Sequence, residues 1–140
     1  MLTDPSQLLV LACALQFLQV PGMIIGQRVL AWGEDLSRLS PTSRRLVLAL
    51  GVGIMLYVCG SGAIGLLYPR AIVTSDVGRA LCVLQAVAWS VRALLQLFVI
   101  GPSWPLHGRW LGRSLAVVYS SLALSYSLIC WLSFAARASL

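Results

Sequence analysis

The chain has 140 residues, of which 59% are hydrophobic and 10% are charged, and its mean hydropathy is +0.90. Soluble domains carry about 25% charged residues, so this composition excludes an ordinary soluble protein and indicates an integral membrane protein. The net charge of +6 comes from arginine without lysine, and in a membrane protein it indicates topology and contact with anionic lipids, not nucleic-acid binding.

Four apolar runs follow one another along the chain, each long enough for the roughly 20 helical residues that cross a bilayer core. They cover about residues 7–30, 46–68, 79–101 and 114–135. Because the connections are short, sequential neighbours are expected to pack antiparallel. We therefore predict an all-α, up-down-up-down four-helix transmembrane bundle that forms a single domain over residues 1–140.

Local signals mark several boundaries of these runs. Ser40–Pro41 and Ser75–Asp76 are typical of an N-cap followed by the first helical residue. Pro21–Gly22 lies inside the first run and predicts a kink or a loosened turn. One face of the connection after the first run predicts a short helical turn on the membrane surface, with three apolar residues: Trp32, Leu36 and Leu39.

The arginines are distributed unevenly between the two sides of the predicted bundle. The connections after the first and third runs, with their flanks, hold Arg28, Arg38, Arg44, Arg45, Arg109 and Arg113. The opposite side holds Arg70, Arg79 and Arg137. Because the excess of positive residues lies in the cytoplasm, this distribution predicts that both termini lie outside.

Arg92 lies near the middle of the third run, where an arginine costs about 2.5–3.5 kcal/mol even on lenient insertion scales. The acids of the chain all lie in the N-terminal tail or in polar connections: Asp4, Glu34, Asp35 and Asp76. At a helical rise of about 1.5 Å per residue, Arg92 lies about 20 Å below the outer face, near the level of Gln19, Tyr57 and Ser121. Those neutral groups can accept hydrogen bonds but cannot cancel the charge.

Two surroundings remain open for the Arg92 guanidinium. The first is an anionic group from outside this chain, such as a carboxylate, a phosphate or a cofactor propionate, because buried charges are normally paired. The second is a water-filled or glutamine-lined pocket that leaves the charge solvated. The planar guanidinium favours the first, since it suits contacts through two hydrogen bonds.

Further polar residues recur at helical spacing. In the third run, Gln85, Trp89, Arg92 and Gln96 are separated by four, three and four residues, which places them on one helical face. The other runs add Gln16, Gln19, Tyr119, Tyr126 and Ser133, and the second run is rich in glycine. One interpretation is that these groups hold a bundle together, because amides bridge helices and small residues allow close approach. The candidate ligand- or partner-binding residues are Arg92, Gln96, Gln85, Trp89, Gln19, Gln16 and Tyr119.

The cysteines lie one in each run, at Cys13, Cys59, Cys82 and Cys130, without any C-x-x-C spacing. This distribution favours packing over a disulfide or a zinc site. His107 lies in the connection after the third run, where a solvated side chain is the simplest interpretation and a haem or chlorophyll ligand is the alternative. Since the sequence contains no Ser-His-acid set, paired carboxylates or phosphate loop, we expect no enzymatic activity and assign no cofactor.

The segment from Trp89 to Gln96, followed by Trp104 and Gly108–Arg109, resembles a pattern in small four-span bacterial membrane proteins. The resemblance covers about the C-terminal half. Those proteins tend to have a histidine early in the second span, where this chain has Leu48–Gly51. The resemblance implies no activity, but it does imply a bacterial cytoplasmic membrane and a Trp/Arg/Gln stripe as a family feature.

Two functions from different classes follow from these residues. In the first, the chain is a non-catalytic subunit of a larger membrane assembly, built with other subunits or with copies of itself, and Arg92 meets an acid of a partner or cofactor. In the second, the bundle itself binds or carries an anionic amphiphile, such as a lipid, a quinone-like molecule or a pigment. A self-assembling pore is a third possibility, but it is not favoured because the spans contain no ring of charged residues.

Overall fold

The computed structural model describes residues 4–29, 31–100 and 109–138, and every regular element in these ranges is a helix. The helices are α1 (Pro5–Val29), α2 (Trp32–Ser37), α3 (Pro41–Leu67), α4 (Pro69–Thr74), α5 (Asp76–Leu95) and α6 (Arg109–Ala138), and a π-helical segment (Gln96–Ile100) continues α5. Four of them, α5 being counted with its π-helical segment, are long and apolar enough to cross a membrane. The predicted all-α four-helix membrane bundle is therefore confirmed.

Both predicted serine caps are present. The Ser40 hydroxyl oxygen accepts a hydrogen bond from the N–H of Ser43 at 3.2 Å, and the Ser75 hydroxyl oxygen accepts one from the N–H of Gly78 at 3.0 Å. Such caps satisfy N–H groups that the first turn of a helix leaves without a partner. The cap at Ser40 explains why α3 begins before the apolar run at about residue 46.

Asp4 caps the N-terminus of α1. One Asp4 carboxylate oxygen accepts hydrogen bonds from the backbone N–H of Ser6 at 2.9 Å and from its hydroxyl at 2.7 Å. These bonds favour the charged form, so the pKa of Asp4 is lowered from its usual value. The contribution of this cap to stability is therefore fully present above the usual aspartate pKa and is lost as the pH falls through the lowered pKa of Asp4.

The connections contain more helix than the sequence predicted. The short turn predicted after the first span is α2, whose Trp32 is exposed. The helix α4 was not predicted, and it begins at a proline, Pro69, as helices often do. Arg79 fastens the corner between α4 and α5, because it pairs with Asp76 and donates a hydrogen bond to the carbonyl of Thr74 at 3.1 Å. Within the first span, α1 continues through Pro21, and the predicted kink there stays a prediction.

Helix neighbours do not simply follow chain order. The helix α6 packs on both α5 and α1, and α3 packs on α1. The expected packing of sequential spans therefore holds for α1 with α3 and for α5 with α6. It is wrong for α3 and α5, which barely touch, while the short helix α4 between them in the chain contacts both.

The core follows from this arrangement. Leu9, Leu122 and Ile129 are almost completely buried where α1 and α6 meet the other helices. By contrast, the first half of α3, up to Tyr57, contains no buried residue. The buried core therefore lies mainly among α1, α5, α6 and the second half of α3, where the candidate site residues lie.

Candidate functional site

Arg92 lies against the neighbouring helix through an aromatic ring. The central carbon of its guanidinium group is 4.8 Å from the centroid of the Tyr119 ring, on α6. The Tyr119 ring in turn stacks on Trp89, with centroids 6.0 Å apart and an interplanar angle of 10°. Trp89 and Tyr119 are buried and Arg92 is half-buried. We call these three residues the Arg92 cluster.

The cation–π contact meets only part of the need of this arginine. Such contacts are worth about 0.5–2 kcal/mol, because the negative face of the ring attracts the cation. They leave the N–H donors unused, and Arg92 donates no hydrogen bond within the described ranges, including to Gln19, Tyr57 or Ser121. The charge is thus positioned by Tyr119 without being neutralised by any described residue.

Sequence reasoning placed Tyr119 among the candidate residues but did not pair it with Arg92. The signal was available, because an aromatic residue on the fourth run can lie at the depth of an arginine on the third. Helix spacing predicts which residues share a face of one helix. It does not predict the rotation of the facing helix, which sets the pair that meets.

Gln16 joins three helices through a fully buried amide. Its side-chain N–H₂ donates to the carbonyl of Val58 at 2.7 Å and to the hydroxyl of Ser61 at 2.8 Å, both on α3. Its oxygen accepts a hydrogen bond from the hydroxyl of Tyr126, on α6, at 2.9 Å. The Tyr126 oxygen also contacts the thiol of Cys13 at 3.6 Å. This network fixes α3 and α6 to α1, as the interpretation of the glutamines as bridging groups expects.

Replacing Gln16 with leucine is expected to destabilise the bundle by about 1–3 kcal/mol, since hydrogen bonds between membrane helices average about 0.6 kcal/mol and Tyr126 loses its acceptor. The measurement is the free energy of unfolding in mixed micelles. Gln27→Leu is the matched control, because Gln27 lies on the same helix and is exposed. Equal stability of the two variants would contradict the bridging role.

Other buried polar groups lack partners within the described ranges. They are the side-chain amide nitrogen of Gln19, the amide oxygens of Gln85 and Gln96, the indole nitrogen of Trp89 and the hydroxyl of Ser133. Gln96 lies in the π-helical segment and donates one hydrogen bond, at 3.3 Å, to the carbonyl of Gly112 on α6. A buried group without a partner costs about 1–3 kcal/mol, so each of these groups still needs a hydrogen-bond partner.

The cysteines and the histidine add no described site. All four thiols are free, and Cys13 and Cys82 are buried. Within residues 4–29, 31–100 and 109–138, no three His, Cys, Asp or Glu side chains are grouped as metal ligands. His107 and Trp104 lie outside the described residues, so the possibility of a ligand at His107 stays a prediction.

A cavity of about 310 Å³ opens between α3 and α5, in the half of the bundle next to α4. Its lining includes Cys13, Tyr57, Ser61, Cys82, Gln85 and Tyr126. Gln85 thus separates from its stripe neighbours, because it faces this cavity and Trp89 and Arg92 pack on Tyr119. The seven candidate residues therefore form several groups, and the binding role of each stays a prediction.

No protein-family model, curated protein or solved structure matches this chain. The resemblance carried by residues 89–109 therefore stays a prediction.

Proposed function

We propose that the chain is a non-catalytic subunit of a larger membrane assembly, in which Arg92 pairs with an anionic group of a partner chain or of a cofactor that the partner holds. The assembly lies in a bacterial cytoplasmic membrane. The partner is another membrane subunit or a second copy of this chain.

The observation that supports this proposal most is the state of Arg92. It is a positive charge at membrane depth, held at 4.8 Å from the Tyr119 ring, without a hydrogen bond to any described residue. An arginine at this depth is expensive and almost always has a partner. Because Arg92 is only half-buried, an anionic group from outside the chain can reach it.

The surroundings of the guanidinium suit a bidentate contact. Tyr119 is buried and stacked on Trp89, so it holds the guanidinium against α6 and restricts its rotamers. A guanidinium whose orientation is fixed loses less entropy when it pairs with a carboxylate or phosphate. The Arg92 cluster therefore suits an ion pair with a group from outside the chain better than a role in packing alone.

The first half of α3 offers further surface for an assembly. It has no buried residue, and Leu46, Leu56 and Ile54 are each more than half exposed. Lipid covers such apolar faces in a bilayer, and a helix of another subunit can replace lipid there. This surface supports the proposal less directly than Arg92, because lipid contact alone also explains it.

The alternative function is that the bundle itself binds an anionic amphiphile through Arg92. A cavity beside Arg92 would favour it, but Arg92 is not among the residues that line the cavity between α3 and α5. The described geometry thus supports an external partner for the charge. Neither function requires a reaction, and we include the lack of enzymatic activity in the proposal.

Purification from native membranes in mild detergent, followed by native mass spectrometry, tests the proposal. We expect the chain to travel with other membrane chains, or with copies of itself, in fixed stoichiometry. A chain that purifies alone with a bound lipid, quinone or pigment would favour the alternative. A chain that purifies alone and empty would contradict both.

The proposed orientation places both termini outside and Arg38 in the cytoplasm. In a cysteine-free background, Arg38→Cys is expected to resist a membrane-impermeant maleimide until the cells are opened. Position 70 lies in a connection on the opposite side of the membrane, so Arg70→Cys is expected to react in intact cells. Rapid labelling at position 38 with protection at position 70 would indicate the opposite orientation.

A further inference from the structure

The cavity between α3 and α5 has one polar wall whose hydrogen bonds are complete. Ser61 donates to the carbonyl of Tyr57 at 2.7 Å and accepts from Gln16, while Tyr126 donates to Gln16. These groups belong to the network that joins α1, α3 and α6. They make this wall polar without leaving a group there that demands a partner.

The opposite wall differs, because Gln85 is buried and its hydrogen bonds are incomplete. Only 7% of Gln85 is exposed, it lines the cavity, and its amide oxygen accepts no hydrogen bond from any residue in the described ranges. An amide oxygen in an apolar environment costs about 1–3 kcal/mol when no donor reaches it. The oxygen itself is enclosed, so a molecule in the cavity that supplies a donor would recover that cost once the Gln85 amide turns about its last side-chain bond.

We propose that this cavity binds an uncharged molecule from the lipid phase that carries a hydroxyl group, with the hydroxyl hydrogen-bonded to the amide of Gln85. The apolar body of the molecule lies against Leu9, Ile64 and Leu81, which also line the cavity. This site is separate from Arg92 and does not depend on the proposed assembly.

The lining determines the class of ligand. None of the described residues that line it is Arg, Lys, Asp or Glu, so a charged head group would lie without a counter-charge from them. A hydroxyl both donates and accepts, so it satisfies the Gln85 amide in either orientation of that group. A long-chain alcohol, a sterol-like alcohol or a phenol fits this description, and a pure hydrocarbon does not.

The shape of the bundle gives the ligand a route. The helices α3 and α5 barely touch, and Leu56 and Leu81 at the cavity are exposed. In a bilayer these residues face acyl chains, so an apolar molecule enters sideways from the lipid without crossing water. The volume of about 310 Å³ lies at the lower end of the range of about 300–1,000 Å³ for small-molecule sites.

Photo-crosslinking with competing ligands tests the proposal. The full chain is reconstituted in phosphatidylcholine nanodiscs with a diazirine-bearing alkylphenol, and crosslinked peptides are mapped by mass spectrometry. Competitors are 4-octylphenol and its methyl ether, 4-octylanisole, compared at equal membrane concentration. We expect crosslinks on α3 and α5, and competition by the phenol about three- to tenfold stronger than by the ether, because the ether lacks the donor.

Gln85→Leu is expected to remove the preference for the phenol over the ether while the helices stay assembled. Equal competition by both compounds in the native chain would overturn the role of the hydroxyl. A preference that survives Gln85→Leu would place the hydroxyl elsewhere and overturn the assignment to Gln85.

A cavity-filling variant tests the location independently of Gln85. Gly60 lines the cavity, and a Cβ added there has no atom within 4 Å, so Gly60→Leu fills space that a ligand would use. Gly51→Leu is the matched control, since Gly51 lies on the same helix outside the cavity and its added Cβ is equally free. We expect about a tenfold loss of crosslinking for Gly60→Leu and no loss for Gly51→Leu. Equal crosslinking in the two variants would show that the probe binds elsewhere.

Discussion

Arg92→Leu is expected to release the partner of this chain while leaving the four helices inserted. Removing one member of a desolvated charge pair costs about 2–5 kcal/mol, so retention of the partner should fall by about 30-fold or more. Insertion should improve, since leucine is favourable where arginine costs about 2.5–3.5 kcal/mol. The measurement is the amount of partner that copurifies, normalised to the amount of this chain in the membrane.

Two further substitutions separate charge from geometry at the same position. Arg92→Lys keeps the charge but loses the planar fork that makes two parallel hydrogen bonds, so partial retention is expected. Arg92→Gln keeps hydrogen bonding but loses the charge, so it should behave nearly as Arg92→Leu. An order of Arg above Lys above Gln would indicate an anionic partner with a two-pronged contact.

Arg113→Leu is the matched control, because Arg113 is an exposed arginine near the N-terminus of α6. It should retain the partner as the native chain does. Full retention in Arg92→Gln would contradict the pairing and indicate that the pocket solvates the charge. Tyr119→Leu should give an intermediate loss, because Tyr119 positions Arg92 without touching the partner.

The parts of the fold that sequence could predict are those with local causes. Spans follow from the length of apolar runs, and the caps at Ser40 and Ser75 follow from a hydroxyl that reaches an N–H three residues later. The short turn α2 followed from the spacing of Trp32, Leu36 and Leu39. Each signal lies within one continuous stretch of sequence, so it does not depend on how separate helices meet.

The parts that sequence could not predict depend on how separate helices meet. The helix α4 is a short polar connection by sequence, yet it lies against both α3 and α5. The π-helical segment at Gln96 needs backbone bonds that widen a turn, and side-chain pattern does not encode it. The contact of Arg92 with Tyr119 depends on the rotation of α6 about its axis.

The glutamines show the same limit within the candidate site. Helical spacing predicted that Gln16, Gln19, Gln85 and Gln96 face the interior, and all four are buried. Helical spacing did not predict their hydrogen-bond partners. The hydrogen bonds of Gln16 are complete, whereas the amide oxygen of Gln85 is unpaired. Burial of an amide can be read from a pattern, but its function requires the facing helix.

Gly78→Ala is expected to be strongly destabilising. Gly78 is buried in the first turn of α5, where its N–H is held by Ser75. A Cβ there would overlap the carbonyl oxygen and the Cα of Ile72. Both are backbone atoms of α4, which cannot rotate away as a side chain can. The added methyl must therefore push α4 from α5.

The expected cost of Gly78→Ala is about 3 kcal/mol, at the upper end of the usual cost of overpacking, measured as the free energy of unfolding in mixed micelles. Gly60→Ala is the matched control, since an added Cβ has no atom within 4 Å and alanine favours helix by about 0.5–1 kcal/mol over glycine. Because α4 closes one end of the cavity through Ile72, Gly78→Ala should also weaken probe crosslinking there. Similar unfolding free energies for the two variants would mean that the α4–α5 corner is open enough to accept a side chain.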